Sequence, residues 1–253
     1  MTEIDQYRFF LKDTIRKSID FRMTDQNRRI PPPPIEKPFD RASHRIKLPS
    51  RDQWETLIEK TDLISAISNR KSRRKFTNRS LRLEELAFLL WATQGIRKPG
   101  IPHLAAYRTV PSAGARHSFE TYLFVMRVDG VDSGLYRYLP IENALVFVSE
   151  VEDLEERLSR ACFNQQFVSK CAVTFVWTTL PYRMEWRYDL AAHRVILIDA
   201  GHVCQNLYLA CEAIHAGTCA IGAYDQEQID VLLNVDGVDE FSVYLAPVGK
   251  IQE

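Results

Sequence analysis

The sequence predicts an α+β fold: a Pro-rich N-terminal arm over residues 1–50, then a single body over 51–253. Three observations carry this. Segments rich in aromatic and branched residues (Thr121 to Val128, Gly134 to Leu139, Ala144 to Val148, Cys171 to Thr178) alternate with segments of helical periodicity. The longest helical segment, Asp189 to Ala216, is apolar around most of its circumference and must be buried in a core or against another subunit. No Gly-x-Gly-x-x-Gly occurs, so a Rossmann dinucleotide domain lacks its fingerprint.

Residues 1–50 are rich in Arg, Lys, Asp and Pro, and Pro31 to Pro34 exclude helix and favour a polyproline II path. Such an arm either wraps the body or a partner subunit, or serves as a recognition tail. In the body, Thr61 and Asp62 can cap a helix carrying Leu63, Ile64, Ala66 and Ile67. The basic segment Arg70 to Lys75 follows. Leu83 to Thr93 is an amphipathic helix stopped by Gly95, after which Lys98 to His103 forms a Pro/Gly/His-rich loop. Gly134 to Leu139 and Ala144 to Val148 make a hairpin, and Asp153 to Cys162 a helix. Cys171 to Thr178 is apolar without alternation, as a central strand buried on both faces should be. Thr218 to Ile221 is a short strand, Asp225 to Leu233 a helix opened by an Asp-x-x-Gln box, and Phe241 to Val248 a last strand.

Thirty-three cationic and 33 anionic side chains balance, which argues against nucleic acid or a membrane surface as the main partner. No uncharged apolar run approaches the ~18 residues of a membrane span, and the charged N-terminus has no secretory h-region. Five cysteines without a Cys-x-x-Cys pair suit small buried hydrophobes in a reducing compartment, so a cytoplasmic location is expected. His193 and His202 fall on opposite helix faces and cannot share a metal, and Cys211 with His215 is an incomplete ligand set. No metal site is expected. His202 and Gln205 suit hydrogen-bonding roles buried near a dimer interface. Arg194 on the same helix needs a polar partner, with Asp199 or a carboxylate across an interface as candidates.

Three segments are candidates for chemistry. Arg70 to Lys75 holds five cations in six residues plus Ser72, and guanidinium forks with a hydroxyl suit a phosphate. From composition alone it reads first as a solvated charge run after a helix. Pro111-Ser112-Ala113-Gly114 lets a flat ligand approach backbone, and Cys219-Ala220-Ile221-Gly222-Ala223 is a strand end able to offer backbone N–H groups.

Together, Arg-x-Ser-x-Arg-x-Phe (Arg70 to Phe76), Pro-Ser-Ala-Gly (Pro111 to Gly114) and Asp-Ala-Gly-His-x-x-Gln-Asn-Leu (Asp199 to Leu207) resemble the flavin nitroreductase superfamily. More narrowly, they resemble its SagB/ThcOx-type branch, which includes azoline dehydrogenases acting on ribosomally made peptides. The resemblance spans roughly residues 60–250. It implies a three-layer sandwich around a mixed, mainly antiparallel sheet, and a homodimer with FMN at the subunit interface. It also implies hydride transfer between flavin N5 and a small organic or peptide-derived substrate. By the same resemblance the cofactor-binding set is Arg70, Lys71, Ser72, Arg74, Ser112, Ala113, Gly114, Ile221, Gly222 and Lys250. Arg70 and Ser72 would take the phosphate and ribityl chain, and Arg74 the pyrimidine edge. Ser112 to Gly114 would line the ring from the second subunit, Ile221 to Ala223 would offer a donor near N5, and Lys250 would reach the phosphate.

Arg187 and Tyr188 stand where the azoline-oxidising branch has a Lys-Tyr pair and are the catalytic candidates. Arginine is effectively always protonated and cannot act as a general base, so Arg187 departs from that pattern. Tyr188 is otherwise an aromatic packing residue. Two alternatives stand beside this reading: an NAD(P)H-dependent nitro/quinone reductase of the same fold, and a catalytically silent scaffold that binds a partner through the proline-rich arm.

Overall fold

The computed structural model describes residues 2–98, 100–101 and 105–252. Pro99, Pro102 and His103 of the predicted Pro/Gly/His loop lie outside the described residues. Its centre is a seven-stranded sheet in the order β1-β6-β5-β4-β7-β9-β8, every neighbouring pair antiparallel. In chain order these strands are β1 (Arg45–Lys47), β4 (Phe119–Val125), β5 (Gly134–Leu139), β6 (Ala144–Ser149), β7 (Val173–Thr179), β8 (Ala216–Thr218) and β9 (Phe241–Lys250). β2 (Ile96–Lys98) and β3 (Tyr107–Arg108) form a separate ribbon. Parallel bridges tie the basic segment to β8 (Ser72 to Thr218) and the chain after it to the residue three past β4 (Leu81 to Val128).

The alternation of β4 and β7 builds the layers. Leu123, Phe175 and Trp177 point to one face, against Leu86, Leu89 and Leu90 of α4 (Leu83–Gln94) and Ile196, Val203 and Leu207 of α7 (Ala192–Glu212). Tyr122, Phe124 and Val176 point to the other, against α5 (Leu154–Ala161) and α8 (Gln226–Leu233). The result is the expected three-layer α+β sandwich. All seven residues of β7 are buried, which explains its continuous apolar sequence.

Local signals behave as their chemistry dictates. Asp62 caps α3 (Leu63–Asn69) by accepting from the Ser65 N–H, and Asp225 caps α8 by accepting from the Gln228 N–H. All five cysteines are buried and free. The predicted 189–216 helix is shorter and interrupted. Tyr182–Tyr188 is a separate helix, α6; Asp189 sits at φ +49°, and a 3-10 turn (Asp189–Ala191) leads into α7. Nor is α7 covered all round: Leu197 and Ile198 are 48% and 45% exposed in the single chain. His202 and Gln205 are exposed there too. The predicted Thr218 to Ile221 strand is displaced to Ala216–Thr218, with Ile221 held only by a bridge to Leu245.

The N-terminal segment lies over its own body. It opens with α1 (Glu3–Leu11), in which no residue is buried, and two 3-10 turns. Further on, the Gln26 N–H donates to the Trp186 carbonyl at 2.8 Å, and the Trp186 indole donates to the Ile30 carbonyl at 2.9 Å. Arg108 and Arg137 donate to the Ile35 and Pro38 carbonyls, the Lys37 N–H donates to Glu120, and β1 extends the sheet edge. Glu120 centres a buried charge cluster, 2.5 Å from Arg183 Nη2 and 3.6 Å from Arg137 Nη1, while Lys37 pairs with Glu240. Burial alone would raise the Glu120 pKa, but Arg183 and Arg137 outweigh it and hold it below its ordinary value. The polar partner of Arg194 is not Asp199: it is Asp13 of this segment, with the Leu11 carbonyl. Short α2 (Arg51–Trp54) then leads into the body, with Trp54 packed on Phe88 and Trp91.

Candidate functional site

Two clusters of the predicted residues form on opposite faces of α7. In the first, Ser72 Oγ lies 3.0 Å from Tyr208 Oη, which also accepts from the Ala220 N–H at 2.9 Å. The Arg70 guanidinium stands 5.2 Å over the Tyr208 ring. Loop and strand are locked by the Ser72–Thr218 bridge and by the Arg73 N–H donating to the Thr218 carbonyl at 2.9 Å. Tyr208 thus ties the basic segment to the Cys219 to Ala223 strand end. Sequence reasoning missed it, because an aromatic on an apolar helix reads as packing.

Charge balance in the basic segment is uneven. Arg73 turns inward to Glu212, 2.6 Å away. Among the described residues, Arg70, Lys71, Arg74 and Lys75 have no carboxylate partner; Arg74 instead lies 5.8 Å over the Phe167 ring. Lys71, Ser72 and Arg74 are exposed and Arg70 half-buried. Nearby, Ile221 is buried, but Gly222 is exposed and a side chain there would meet nothing within 4 Å. Unpaired cations beside open backbone are what an anionic, flat ligand needs. Lys250 does not join them: its ammonium is bound to Glu85 at 2.7 Å and to the Ile214 carbonyl at 2.5 Å.

The second cluster is the Ser112 to Gly114 turn. Asp199, 4% exposed in mid-helix, accepts from the Ala113 N–H at 3.2 Å. Burial raises the Asp199 pKa, and hydrogen bonds from Ser112 and Ala113 oppose the rise. Ser112 Oγ in turn accepts from the His117 N–H at 3.0 Å. Gly114 adopts φ +59°, and a Cβ there would fall 2.6 Å from Tyr188 Oη and 2.9 Å from Arg187 Nε. Glycine suits this position in two ways: its φ is positive, and a side chain would displace Tyr188 and Arg187. Arg187 and Tyr188, at the end of α6, are thereby brought onto the predicted ring-lining turn, with the guanidinium 5.5 Å over the Tyr188 ring. Beneath them Arg116 donates to the Arg183 carbonyl at 2.9 Å and stands 4.8 Å over Trp186. Asp199 is the second residue that sequence reasoning missed in this role; its signal was a carboxylate inside an apolar helix.

Asp199 and Tyr208 are nine residues apart on α7, which separates them by about 180° and about 13 Å along the axis. The Ser72 and Gly114 clusters therefore face away from each other within one chain.

The nitroreductase family model matches residues 67–250, so the chain belongs to the nitroreductase family of oxidoreductases. It is 30% identical over 193 residues to a candidate nitroreductase of Methanocaldococcus jannaschii, covering 76% of this chain and 93% of that one. Among solved structures, a candidate nitroreductase of Ralstonia eutropha superposes with a TM-score of 0.68 at 23% identity, over 88% of this chain and 95% of that one. The E. coli microcin synthetase McbBCD complex, with truncated pro-MccB17 bound, contains a chain that matches at TM-score 0.61 and 18% identity, over 100% of this chain and 98% of that one. The chain spans 42% of the length of a further match, a candidate nitroreductase of Anabaena variabilis (TM-score 0.63, 21% identity, 83% of this chain). Among the described residues no helix is long and apolar enough to cross a membrane.

Proposed function

We propose that this protein is an FMN-dependent oxidoreductase of the SagB/ThcOx-like branch. It acts as a homodimer on a small organic or peptide-derived substrate. The observation that carries this reading is the positive charge of Arg70, Lys71, Arg74 and Lys75, which has no carboxylate partner among the described residues, beside the Ser72 hydroxyl and the open backbone at Gly222. Arg70 and Ser72 would hold the FMN phosphate and ribityl chain, and the planar guanidinium of Arg74 would serve the ring edge. FMN, when bound, supplies the two-electron chemistry. One phosphate cluster and no dinucleotide fingerprint favour FMN over FAD.

The opposed clusters support the homodimer. A site that needs both Arg70/Ser72 and Ser112/Ala113/Gly114 is completed by a second copy, and Leu197 and Ile198 on the open face of α7 offer apolar surface for it. The match of the microcin synthetase chain over the whole length, arm included, favours a peptide-derived substrate over a free quinone or nitro compound. Tyr188, with its hydroxyl at the ring-lining turn, holds the proton that accompanies turnover; Arg187 beside it cannot accept one.

Protein purified from cells should absorb near ~450 nm, release FMN rather than FAD, and scatter light as twice the 29.3 kDa chain mass. Tyr188→Phe should keep colour and melting temperature while losing ~10²–10⁴-fold in turnover. A colourless monomer sinks the assignment. Wild-type turnover in Tyr188→Phe reduces Tyr188 to packing.

A further inference from the structure

Among the described residues, the cations around α6 are matched. Arg183 is bound to Glu120 at 2.5 Å, Arg16 and Arg194 share Asp13, and Arg116 donates to the Arg183 carbonyl. The one acid on α6, Glu185, is held by His193 at 2.8 Å. Arg187 differs. It is half-buried, its Nε and Cδ lie against Gly114, its guanidinium lies over the Tyr188 ring, and among the described residues it has no carboxylate or carbonyl partner. The planar fork of a guanidinium with no anion of its own matches a carboxylate or sulfonate in two parallel hydrogen bonds. Its neighbours add to the field, since Arg116 is shifted below its ordinary pKa by burial and by Arg187 and Arg183. The Tyr188 hydroxyl, at the same turn, supplies a second donor.

We propose that Arg187 is the anchor for an anionic group on the substrate. The protein would thus prefer flat substrates that carry a carboxylate or sulfonate at the edge facing the Gly114 turn. This rests on the reading of the turn as the oxidoreductase site. A lysine in the same place offers a point charge in place of a fork, so the exchange to arginine would set substrate choice rather than proton removal.

The test uses photoreduced holoprotein, reoxidised in single turnover by 1,4-naphthoquinone or by 1,4-naphthoquinone-2-sulfonate. The ratio of the two second-order rate constants should favour the sulfonate in wild type, fall roughly 10- to 100-fold in Arg187→Ala, and largely recover in Arg187→Lys. Naphthalene-2-sulfonate, which cannot react, should bind wild type by calorimetry and bind Arg187→Ala more weakly by the same factor. An unchanged ratio together with unchanged naphthalene-2-sulfonate affinity overturns the anchor. Protein that holds no photoreducible flavin overturns the oxidoreductase reading instead, and there, as with protein that neither quinone reoxidises, the calorimetric comparison still decides on Arg187.

Discussion

The charges beneath the N-terminal arm and those of the basic loop follow opposite rules. Under the arm, Glu120 is 3% exposed and answered by Arg183 and Arg137, and Glu240 is answered by Lys37 and the Thr178 hydroxyl. In the loop, only Arg73 has a carboxylate, and its four cationic neighbours have none among the described residues. Buried charge without a partner is too expensive to keep, so pairing there reflects architecture. Exposed charge is cheap to leave open, so a cluster of it beside an ordered hydroxyl and open backbone is available to a ligand. Change in the first region should register as stability, and change in the second as affinity.

The largest effect should come from Glu120→Gln, which leaves two buried guanidiniums uncompensated. Urea titration should show a loss of about 3–5 kcal/mol. A loss under 1 kcal/mol would make the cluster decorative. Arg70→Ala combined with Ser72→Ala should do the reverse: FMN affinity weakens by roughly 10- to 100-fold, while the unfolding free energy from urea titration stays within about 0.5 kcal/mol of wild type. If that double variant unfolds rather than merely losing flavin, the loop is structural and the contrast between the regions fails.

His117 gives the pH test. It is 5% exposed, and burial, then Arg108, lowers its pKa to about 3. Its folded-state pKa is depressed below the unfolded 6.5, so the neutral ring's contribution is complete above pH 6.5 and is lost as pH falls toward 3. The slope approaches roughly 1.4 kcal/mol per pH unit for one proton. His117→Asn, which suits the residue's φ of +48°, should flatten the acid limb of the stability curve by that amount. Identical slopes would show that the ring is not buried neutral. The smallest effect is expected of Tyr208→Phe, which removes the hydroxyl joining Ser72 to the Ala220 N–H and should cost about 1 kcal/mol and a few-fold in FMN affinity.

Much of the fold was legible because its signals are local. Asp62 and Asp225 announce helix starts by their side chains, and the apolar run of β7 has one stable place, between two layers of helix. The break at Asp189 was not legible, since the helical period continues through it while a single residue in the left-handed region turns the chain. The path of the arm was equally hidden, because its bonds join residues some 70 to 200 positions apart, as in Lys37 with Glu120 and Glu240. Of the candidate site, the loop and turn residues are readable as motifs. Tyr208 and Asp199 were not, because what singles them out is a neighbour across the fold: Ser72 and Ala220 for one, Ala113 for the other. Lys250, reasonable from its place in the last strand, is held by buried Glu85, a contact that no spacing reveals.

The cations of residues 70–75 that have no carboxylate among the described residues are proposed to hold one phosphate. The direct measurement is titration of flavin-free protein with FMN and with riboflavin, which differ only by that phosphate. FMN should bind on the order of 100-fold tighter than riboflavin, with the gap shrinking to a few-fold in the Arg70→Ala, Ser72→Ala double variant. Equal affinity for the two flavins in wild type, or a gap that survives in the double variant, would contradict it.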